Sequence, residues 1–260
     1  MKDQLNRIIS LTQIPKRIVS LVPSQTELLH DLGLENEIVG ITKFCVHPVH
    51  YKQKKAIVGG TKQVHFEKIK ALKPDIILCN KEENTKDMIG KLQAIAPVHI
   101  SDVYTITDSL QLILMYGKLF NKTKASVSMV ASIKAKQKAF AKHIEGSQKL
   151  KVTYFIWKNP WMVAAKNTFI NEMLTINNFE NCYKNDNRYP EIELSQLKQL
   201  KPEMILLSSE PYPFKEKDVK ILKPLFPNTI IKIVDGEAFS WYGSRLLKVF
   251  DYFRTLRDDL

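Results

Sequence analysis

Two periodicities alternate along the chain and predict alternating strands and helices. Short continuous apolar runs such as Ile76–Leu78 suit strands that are covered on both faces. Amphipathic stretches follow the strands, for example Thr26–Leu34 and Thr168–Ile176, and these predict helices. Each half of the chain has the order strand, helix, strand, helix, strand. We therefore expect an α/β fold with two doubly wound α/β lobes.

A weak internal repeat relates the two halves. Glu67–Asn80 has the sequence EKIKALKPDIILCN, and Ser195–Ser209 has the sequence SQLKQLKPEMILLSS. Both predict a short helix, a stop at Leu-Lys-Pro and an acidic residue, and then a buried strand, because Pro cannot continue the hydrogen-bond ladder of a helix. The repeat predicts that one α/β unit occurs twice.

The segment between the two copies predicts one long helix. Residues 122–146 contain no Pro, are rich in Ala and Lys, and carry apolar residues at roughly helical spacing. We expect an N-terminal α/β lobe at residues 1–121, an inter-lobe helix at 122–146 and a C-terminal α/β lobe at 147–260. A ligand cleft between the lobes is expected to be largely preformed, because one long helix is a poor hinge.

Ligand contacts are expected at the carboxyl ends of the strands, where open α/β sheets bind their ligands. The loops at these ends carry all three Trp residues and several other aromatic residues. This pattern has two interpretations, a ligand-contacting aromatic wall or packing between the lobes. A wall suits a large, flat, partly apolar ligand such as a macrocycle. The candidates are Phe44, Trp157, Trp161, Trp241 and Tyr242.

The sequence gives no positive indication of catalysis. The patterns GxSxG, GxGxxG and GxxxxGK[ST] are absent, so we predict a protein that is not an enzyme and has no intrinsic cofactor. His47 and His50 lie in a Pro-containing loop that does not place both imidazoles on one helix face, which disfavours a direct metal site. Contact of His47 with a metal held by a macrocycle stays open. The three cysteines lack a CxxC pattern, and Cys79 is predicted to be a core thiol.

The charge balance is strongly basic, with 39 Lys and Arg against 27 Asp and Glu, or 39 − 27 = +12. Only six of the basic residues are Arg, and no nucleic-acid-binding motif occurs, so no nucleic-acid partner is expected. Between Lys118 and Lys151 there are nine Lys and one acid, Glu145. This run favours a solvated helix face.

Length and composition are those of a globular protein, with 260 residues and 44% hydrophobic residues. We expect a monomer. No window holds 18 uninterrupted apolar residues, so no membrane insertion is predicted. The first residues lack the apolar region of a signal peptide, which predicts a cytoplasmic location for the chain as it stands.

The N-terminal segment resembles that of a known family. Arg17–Leu28, with the sequence RIVSLVPSQTEL, is similar to the signature of the class III solute-binding proteins of ABC importers, above all the vitamin B12-binding proteins. The likeness covers roughly residues 15–255 and continues through Gly33, Val39-Gly40, Gly59-Gly60, Leu72–Asp75, Asn159-Pro160 and Ser244-Arg245. It implies two lobes joined by a backbone helix. It also implies capture of a cobalamin-like corrinoid or another metal chelate, delivery to an ABC importer permease, and a periplasmic location.

The resemblance also implies site residues. The expected ligand contacts are Pro23, Ser24, Phe44, His47, Trp157, Trp161, Met162, Trp241, Tyr242 and Arg245. In vitamin B12-binding proteins an aromatic residue occupies the place of His47. Glu67 matches the permease-docking glutamate of the first lobe, and its counterpart in the second lobe falls near Glu210 or Glu216.

Two alternatives to a corrinoid stay open. Thr61 stands where the vitamin B12-binding proteins carry a Trp, and a ferric-siderophore or haem binding protein of the same fold is the first alternative. Arg245, Lys81 and Lys166 are the candidate cations for such an anionic chelate. A cytosolic corrinoid- or tetrapyrrole-handling protein or enzyme is the second alternative, since no signal peptide is seen.

Overall fold

The computed structural model describes residues 1–260 and divides them into two compact units. The first unit consists of Met1–Ala135 and Tyr242–Leu247, and the second of Lys136–Trp241 and Lys248–Leu260. The sequence did not predict that Tyr242–Leu247 belongs to the first unit. The predicted fold class, two α/β lobes with one long helix between them in the chain, is confirmed.

The first unit contains a parallel sheet of five strands in the order β3-β2-β1-β4-β5. Its strands are β1 (Ile18–Ser20), β2 (Ile38–Ile41), β3 (Ala56–Ile57), β4 (Ile76–Asn80) and β5 (Val98–Ser101). Residues of β1 and β4 are fully buried, as expected for strands covered on both faces. Cys79 is 0% exposed and belongs to the apolar core on this sheet, so the predicted core thiol is confirmed.

Helices connect these strands. They are α1 (Pro23–Asp31), α2 (Tyr51–Lys54), α3 (Phe66–Ala71), α4 (Lys86–Leu92) and α5 (Ile106–Leu119). Helix α1 begins at Pro23, three residues before the predicted start at Thr26. Pro at the first helical position has its backbone angle preset for a helix. The Thr26 hydroxyl does not cap α1 but donates to the Val22 carbonyl, 3.0 Å away, inside the helix.

The second unit contains a mixed sheet in the order β10-β9-β6-β7, with β8 also paired to β6. Its strands are β6 (Leu150–Trp157), β7 (Met162–Val163), β8 (Phe179–Asn181), β9 (Met204–Ser208) and β10 (Ile230–Val234). Strand β7 runs antiparallel to β6, whereas β8 and β9 run parallel to it. The chain thus reverses direction directly after Trp157, where the first unit would have a crossover between parallel strands. The loop at residues 157–162 therefore lies beside the sheet.

The helices of the second half complete the chain. Helix α6 (Thr123–His143) has 21 residues, and its residues up to Ala135 belong to the first unit. The others are α7 (Phe169–Ile176), α8 (Leu194–Leu200), α9 (Glu216–Leu222), α10 (Gly236–Ser240) and α11 (Leu246–Asp258). None of the helices combines the length and the apolar composition that a membrane crossing needs.

The internal repeat is visible in the backbone. Helices α3 and α8 both end at a Leu-Lys-Pro segment whose Lys has a left-handed conformation, with φ of 46° at Lys73 and 50° at Lys201. The acid after each Pro then holds the start of a central strand. Asp75 accepts the backbone N–H of Arg17 at 2.9 Å, and Glu203 accepts that of Lys151 at 2.8 Å.

Candidate functional site

The carboxyl ends of the strands in the first unit carry both buried and exposed candidates. Pro23 and Ser24 form the first turn of α1 after β1 and are buried, with Ser24 3% exposed. Both residues therefore lie inside the first unit. They do not offer an open surface to a ligand.

Phe44 presents an exposed aromatic ring after β2. Its side chain is 49% exposed, and the Lys43 ammonium lies 5.1 Å from the ring centroid. The ring packs on the Gly59-Gly60 turn, since a Cβ at Gly60 would lie 3.2 Å from its Cε2 atom. Gly59 has φ of +129°, which a residue with a side chain rarely adopts. The Gly59-Gly60 turn thus supports an aromatic face.

The two histidines of the His47–His50 loop do not come together as metal ligands. His50 Nε2 lies 3.0 Å from a Glu35 carboxylate oxygen, and His47 is partly buried one residue before Pro48. No group of three or more His, Cys, Asp or Glu side chains is arranged to hold a metal ion.

A buried polar network lies under the strand ends of the first unit, and the sequence analysis missed it. The Gln25 amide nitrogen donates to the Ser101 hydroxyl at 2.5 Å and to the Tyr242 hydroxyl at 2.9 Å, while Tyr116 donates to the Gln25 amide oxygen at 2.6 Å. Asn80 joins through Ser101 at 3.0 Å. Tyr242, expected to contact ligand, is 5% exposed and is part of this network.

Arg245 has a partner within the first unit. Its Nε donates to a Glu27 carboxylate oxygen at 2.9 Å, and the two side chains are only 12% and 5% exposed. Arg245, expected to contact a ligand, thus forms an internal ion pair in this structure. Glu27 lies in the second turn of α1, directly before the buried Leu28 and Leu29. An acid beside buried apolar residues was the sequence signal that could have indicated a buried cation.

Aromatic side chains cluster at the carboxyl ends of β6 and β9 in the second unit. Trp157 is 39% exposed and meets Tyr212 edge to face, with 5.6 Å between ring centroids. Trp161 stacks on Phe214 at 6.1 Å and with 9° between the planes. Met162, the first residue of β7, is half-buried beside this loop. We call Trp157, Trp161, Tyr212 and Phe214 the aromatic cluster.

A buried ion pair supports the aromatic cluster, and the sequence did not predict it. The Lys158 ammonium lies 2.6 Å from a carboxylate oxygen of Asp218, whose side chain is 0% exposed. The same ammonium lies 5.5 Å from the centroid of the Trp161 ring. The pair ties the loop after β6 to α9, and Trp161 is in contact with both the Lys158 cation and the Phe214 ring.

Trp241 is held inside the second unit. It is 6% exposed, and its indole N–H donates to Glu210 at 2.8 Å, where the Ser240 hydroxyl also donates at 2.9 Å. Burial raises the pKa of Glu210 above its ordinary value, although these two hydrogen bonds oppose the shift. Trp241 is thus an anchoring residue in this structure, and the Glu210 carboxylate is engaged rather than presented to solvent.

The exposed acids are positioned differently in the two units. Glu67 is exposed in the first turn of α3. The repeat makes α8 the counterpart of α3, with Ser195 in the place of Glu67 and the exposed Glu193 at the N-cap. Glu216 is exposed but opens α9, the next helix along the chain. Glu193 is therefore the exposed acid of the second unit that lies nearest to the position of Glu67 in the repeat.

Residues 18–223 match a family described as "Periplasmic binding protein". The chain belongs to the periplasmic binding protein family. The match spans most of both α/β units, including α6 and both Leu-Lys-Pro segments.

Individual relatives and solved structures agree with the family. An uncharacterized ABC transporter substrate-binding lipoprotein of Bacillus subtilis is 27% identical over 212 residues, which cover 78% of this chain and 67% of that protein. The periplasmic vitamin B12 binding protein of Vibrio cholerae has a similar structure with a TM-score of 0.81 at 17% identity, over 95% of this chain and 98% of that one. A periplasmic haem binding protein of Pseudomonas aeruginosa gives 0.83 at 20% identity, over 94% and 92%. At these identities the structural likeness shows the fold alone.

Proposed function

We propose that this member of the periplasmic binding protein family is the substrate-binding component of an ABC importer and that it captures a cobalamin-like corrinoid. The ligand is passed on unchanged to the permease, so the protein performs no catalytic step. Family membership, the transporter name of the Bacillus subtilis relative and the fold shared with a vitamin B12 binding protein support this proposal.

The observation that carries the ligand class is the placement of the exposed aromatic rings. Phe44 lies at the carboxyl end of β2, and Trp157 lies at the carboxyl end of β6. Both rings are well exposed, at 49% and 39%, although aromatic side chains of this size normally gain free energy by burial. Exposed rings at strand ends suit a broad apolar ligand face such as that of a corrin macrocycle.

Titration of the purified protein with cyanocobalamin tests this proposal. We expect saturable binding with one site per chain and quenching of Trp fluorescence, measured together with calorimetry. Trp157→Ala should weaken binding about tenfold, because it removes one stacking contact and its buried area. Ile221→Ala is the matched control, since Ile221 is an apolar side chain of the same unit that is 47% exposed on α9.

Two results would contradict the corrinoid proposal. One is the absence of heat and quenching with cyanocobalamin, and the other is unchanged affinity in Trp157→Ala. The first would reject the ligand, while the second would reject the aromatic cluster as its contact surface.

A haem or a ferric siderophore is the second candidate, favoured by one observation. The Lys43 ammonium lies beside the exposed Phe44 ring, so an anionic chelate would find a cation next to an aromatic face. Two of the other proposed cations are less suited to this role, since Arg245 pairs with Glu27 and Lys81 with Asp102. Parallel titrations with haem and with a ferric catecholate, followed by absorbance, distinguish this candidate. Tighter binding there than with cyanocobalamin, weakened by Lys43→Gln, would favour it.

Glu67 and Glu193 are proposed as the acids that dock the protein onto basic pockets of the permease. They are exposed at the starts of α3 and α8, which are corresponding helices of the repeat. Exposed carboxylates suit electrostatic docking onto basic pockets.

A further inference from the structure

The positive charge of this protein is concentrated in one segment. Residues 118–151 carry nine Lys and one acid, so they supply 9 − 1 = +8 of the net +12. The remaining 226 residues supply only +4. Helix α6 lies within this segment and contains no acidic residue at all.

Helix geometry gathers four of these lysines on one face. Lys134, Lys138 and Lys142 are four residues apart and form a row. Lys124 and Lys142 are 18 residues apart, which is five turns at about 3.6 residues per turn, so they point in the same direction. All four side chains are exposed. We call Lys124, Lys134, Lys138 and Lys142 the lysine face; it is about 27 Å long at 1.5 Å per residue.

The lysine face is not neutralised within the protein. The cations on the other side of α6 have partners: Lys136 lies 2.6 Å from Asp251, and His143 lies 2.7 Å from Asp258. None of the four lysines of the face forms an ion pair. Like charges four residues apart destabilise a helix slightly. The row therefore lowers the stability of α6, and no ion pair within the protein offsets this loss.

The chemistry of the face selects its partner. The residues between the lysines are small or weakly apolar, such as Val127, Ala131 and Ala135, and the only aromatic residue of α6, Phe140, is buried at 2% exposure. Base stacking uses exposed aromatic rings, and protein hot spots are enriched in Trp, Tyr and Arg. Neither is present, so the face offers only diffuse attraction to a surface of many anions.

A shallow groove next to the face offers further donors for phosphate. Its walls are Asn121, Lys122, Lys124, Ala125 and Ser128, and its volume is about 460 Å³. Ammonium, amide and hydroxyl groups are the side-chain donors that bind phosphate oxygens. These side chains lie at the start of α6, at one end of the lysine face.

We propose that the lysine face of α6 docks this protein onto an anionic lipid bilayer. Attachment is peripheral and electrostatic, because the face holds only one exposed apolar side chain of appreciable size, Val127, at 53% exposure. This attachment does not depend on which ligand the protein carries. It would keep the protein near a membrane-embedded partner.

Co-sedimentation of the full chain with lipid vesicles tests the proposal. We expect binding to phosphatidylcholine vesicles that contain about 30 mol% phosphatidylglycerol, and little binding to pure phosphatidylcholine. Raising the salt from about 0.1 M to about 0.5 M should release the protein, because the Debye length shortens. The quadruple variant K124Q/K134Q/K138Q/K142Q should lower the partition coefficient by at least about a hundredfold, at about fivefold per lysine.

A variant with the same net charge separates the lysine face from total charge. K52Q/K86Q/K198Q/K220Q also removes four exposed lysines, outside α6, and should lower partitioning by less than about tenfold. Circular dichroism and ligand titration verify that both variants fold. Equal losses in the two variants would overturn the proposal, as would equal binding to the two vesicle types. Tighter retention on duplex DNA than on the anionic vesicles at the same salt would overturn it in favour of a nucleic-acid partner.

Discussion

His99 is buried in the first unit with no hydrogen-bond partner at either ring nitrogen. It is 0% exposed on β5, and its ring meets Tyr116 edge to face with 5.2 Å between centroids. Burial lowers the pKa of His99 from 6.5 to about 4, because the imidazolium would lose its hydration; the Asp3 carboxylate opposes this shift. The folded protein therefore holds His99 neutral near physiological pH.

Acidification should destabilise the protein through His99. Between about pH 6.5 and pH 4 the unfolded chain binds a proton at this residue and the folded chain does not, so the free energy of unfolding falls as the pH falls. A difference of 6.5 − 4 = 2.5 units corresponds to about 3 kcal/mol at most. His99→Leu cannot titrate and should flatten this dependence. Urea unfolding at about pH 7 and about pH 4 measures it.

The exposed His65 provides the control for this measurement. His65→Leu should keep the pH dependence of the unmodified protein. Identical slopes of stability against pH in the unmodified protein and in His99→Leu would rule out His99 as the origin.

At the scale of elements, the Leu-Lys-Pro repeat was predicted from sequence and its conformation was not. Pro74 and Pro202 predicted where α3 and α8 stop, because Pro cannot continue a helix. Nothing in the sequence indicates that the preceding Lys is left-handed, since Gly is the usual residue in that conformation. The pairing of β7 with β6 was equally invisible, because a two-residue strand gives no periodicity.

Lys201 is expected to be a site where Gly stabilises the protein. A residue other than Gly costs about 1–2 kcal/mol in the left-handed conformation. Gly avoids this cost but loses more conformational entropy on folding, which offsets about 0.5–1 kcal/mol of the gain. Lys201→Gly should therefore raise the free energy of unfolding by about 0.5 kcal/mol. Lys198→Gly, within α8, should lower it by about 1 kcal/mol. Equilibrium urea unfolding compares the two, and a loss of stability in Lys201→Gly would refute the strain argument.

At the scale of the whole molecule, the sequence predicted the fold class and the family more completely than the roles of site residues. The apolar runs and the repeat were sufficient for two α/β units. Arg245, Tyr242 and Trp241 were expected at a ligand, but the structure pairs each with a distant residue: Glu27, Gln25 and Glu210. Contacts over such separations leave no periodic pattern in a single sequence. All the ligand contacts expected from the sequence remain predictions.

The proposed docking to a permease concerns the whole protein and gives a test of the two exposed acids. Glu67→Gln and Glu193→Gln should leave the ligand affinity unchanged and together lower ligand uptake about tenfold or more, because they remove charges from the docking surface. Uptake of radiolabelled ligand by cells that produce each variant measures this, with affinity determined separately by calorimetry. Glu145→Gln is the control, as an exposed acid just after α6.

The uptake assay also decides between the acids of the second unit. A decrease with Glu193→Gln supports the assignment from the repeat. A decrease with Glu216→Gln alone would restore the assignment made from sequence.

The return of Tyr242–Leu247 to the first unit has a consequence for synthesis of the chain. The backbone N–H of Gly243 donates to the Ser109 hydroxyl at 2.9 Å, and Arg245 pairs with Glu27, so this segment supplies partners for α1 and α5. A ribosome makes residues 136–241 of the second unit before it reaches this segment. The first unit therefore lacks this segment while the second unit is already being synthesised. Folding of the first unit cannot finish in the N-to-C order in which domains usually fold during translation.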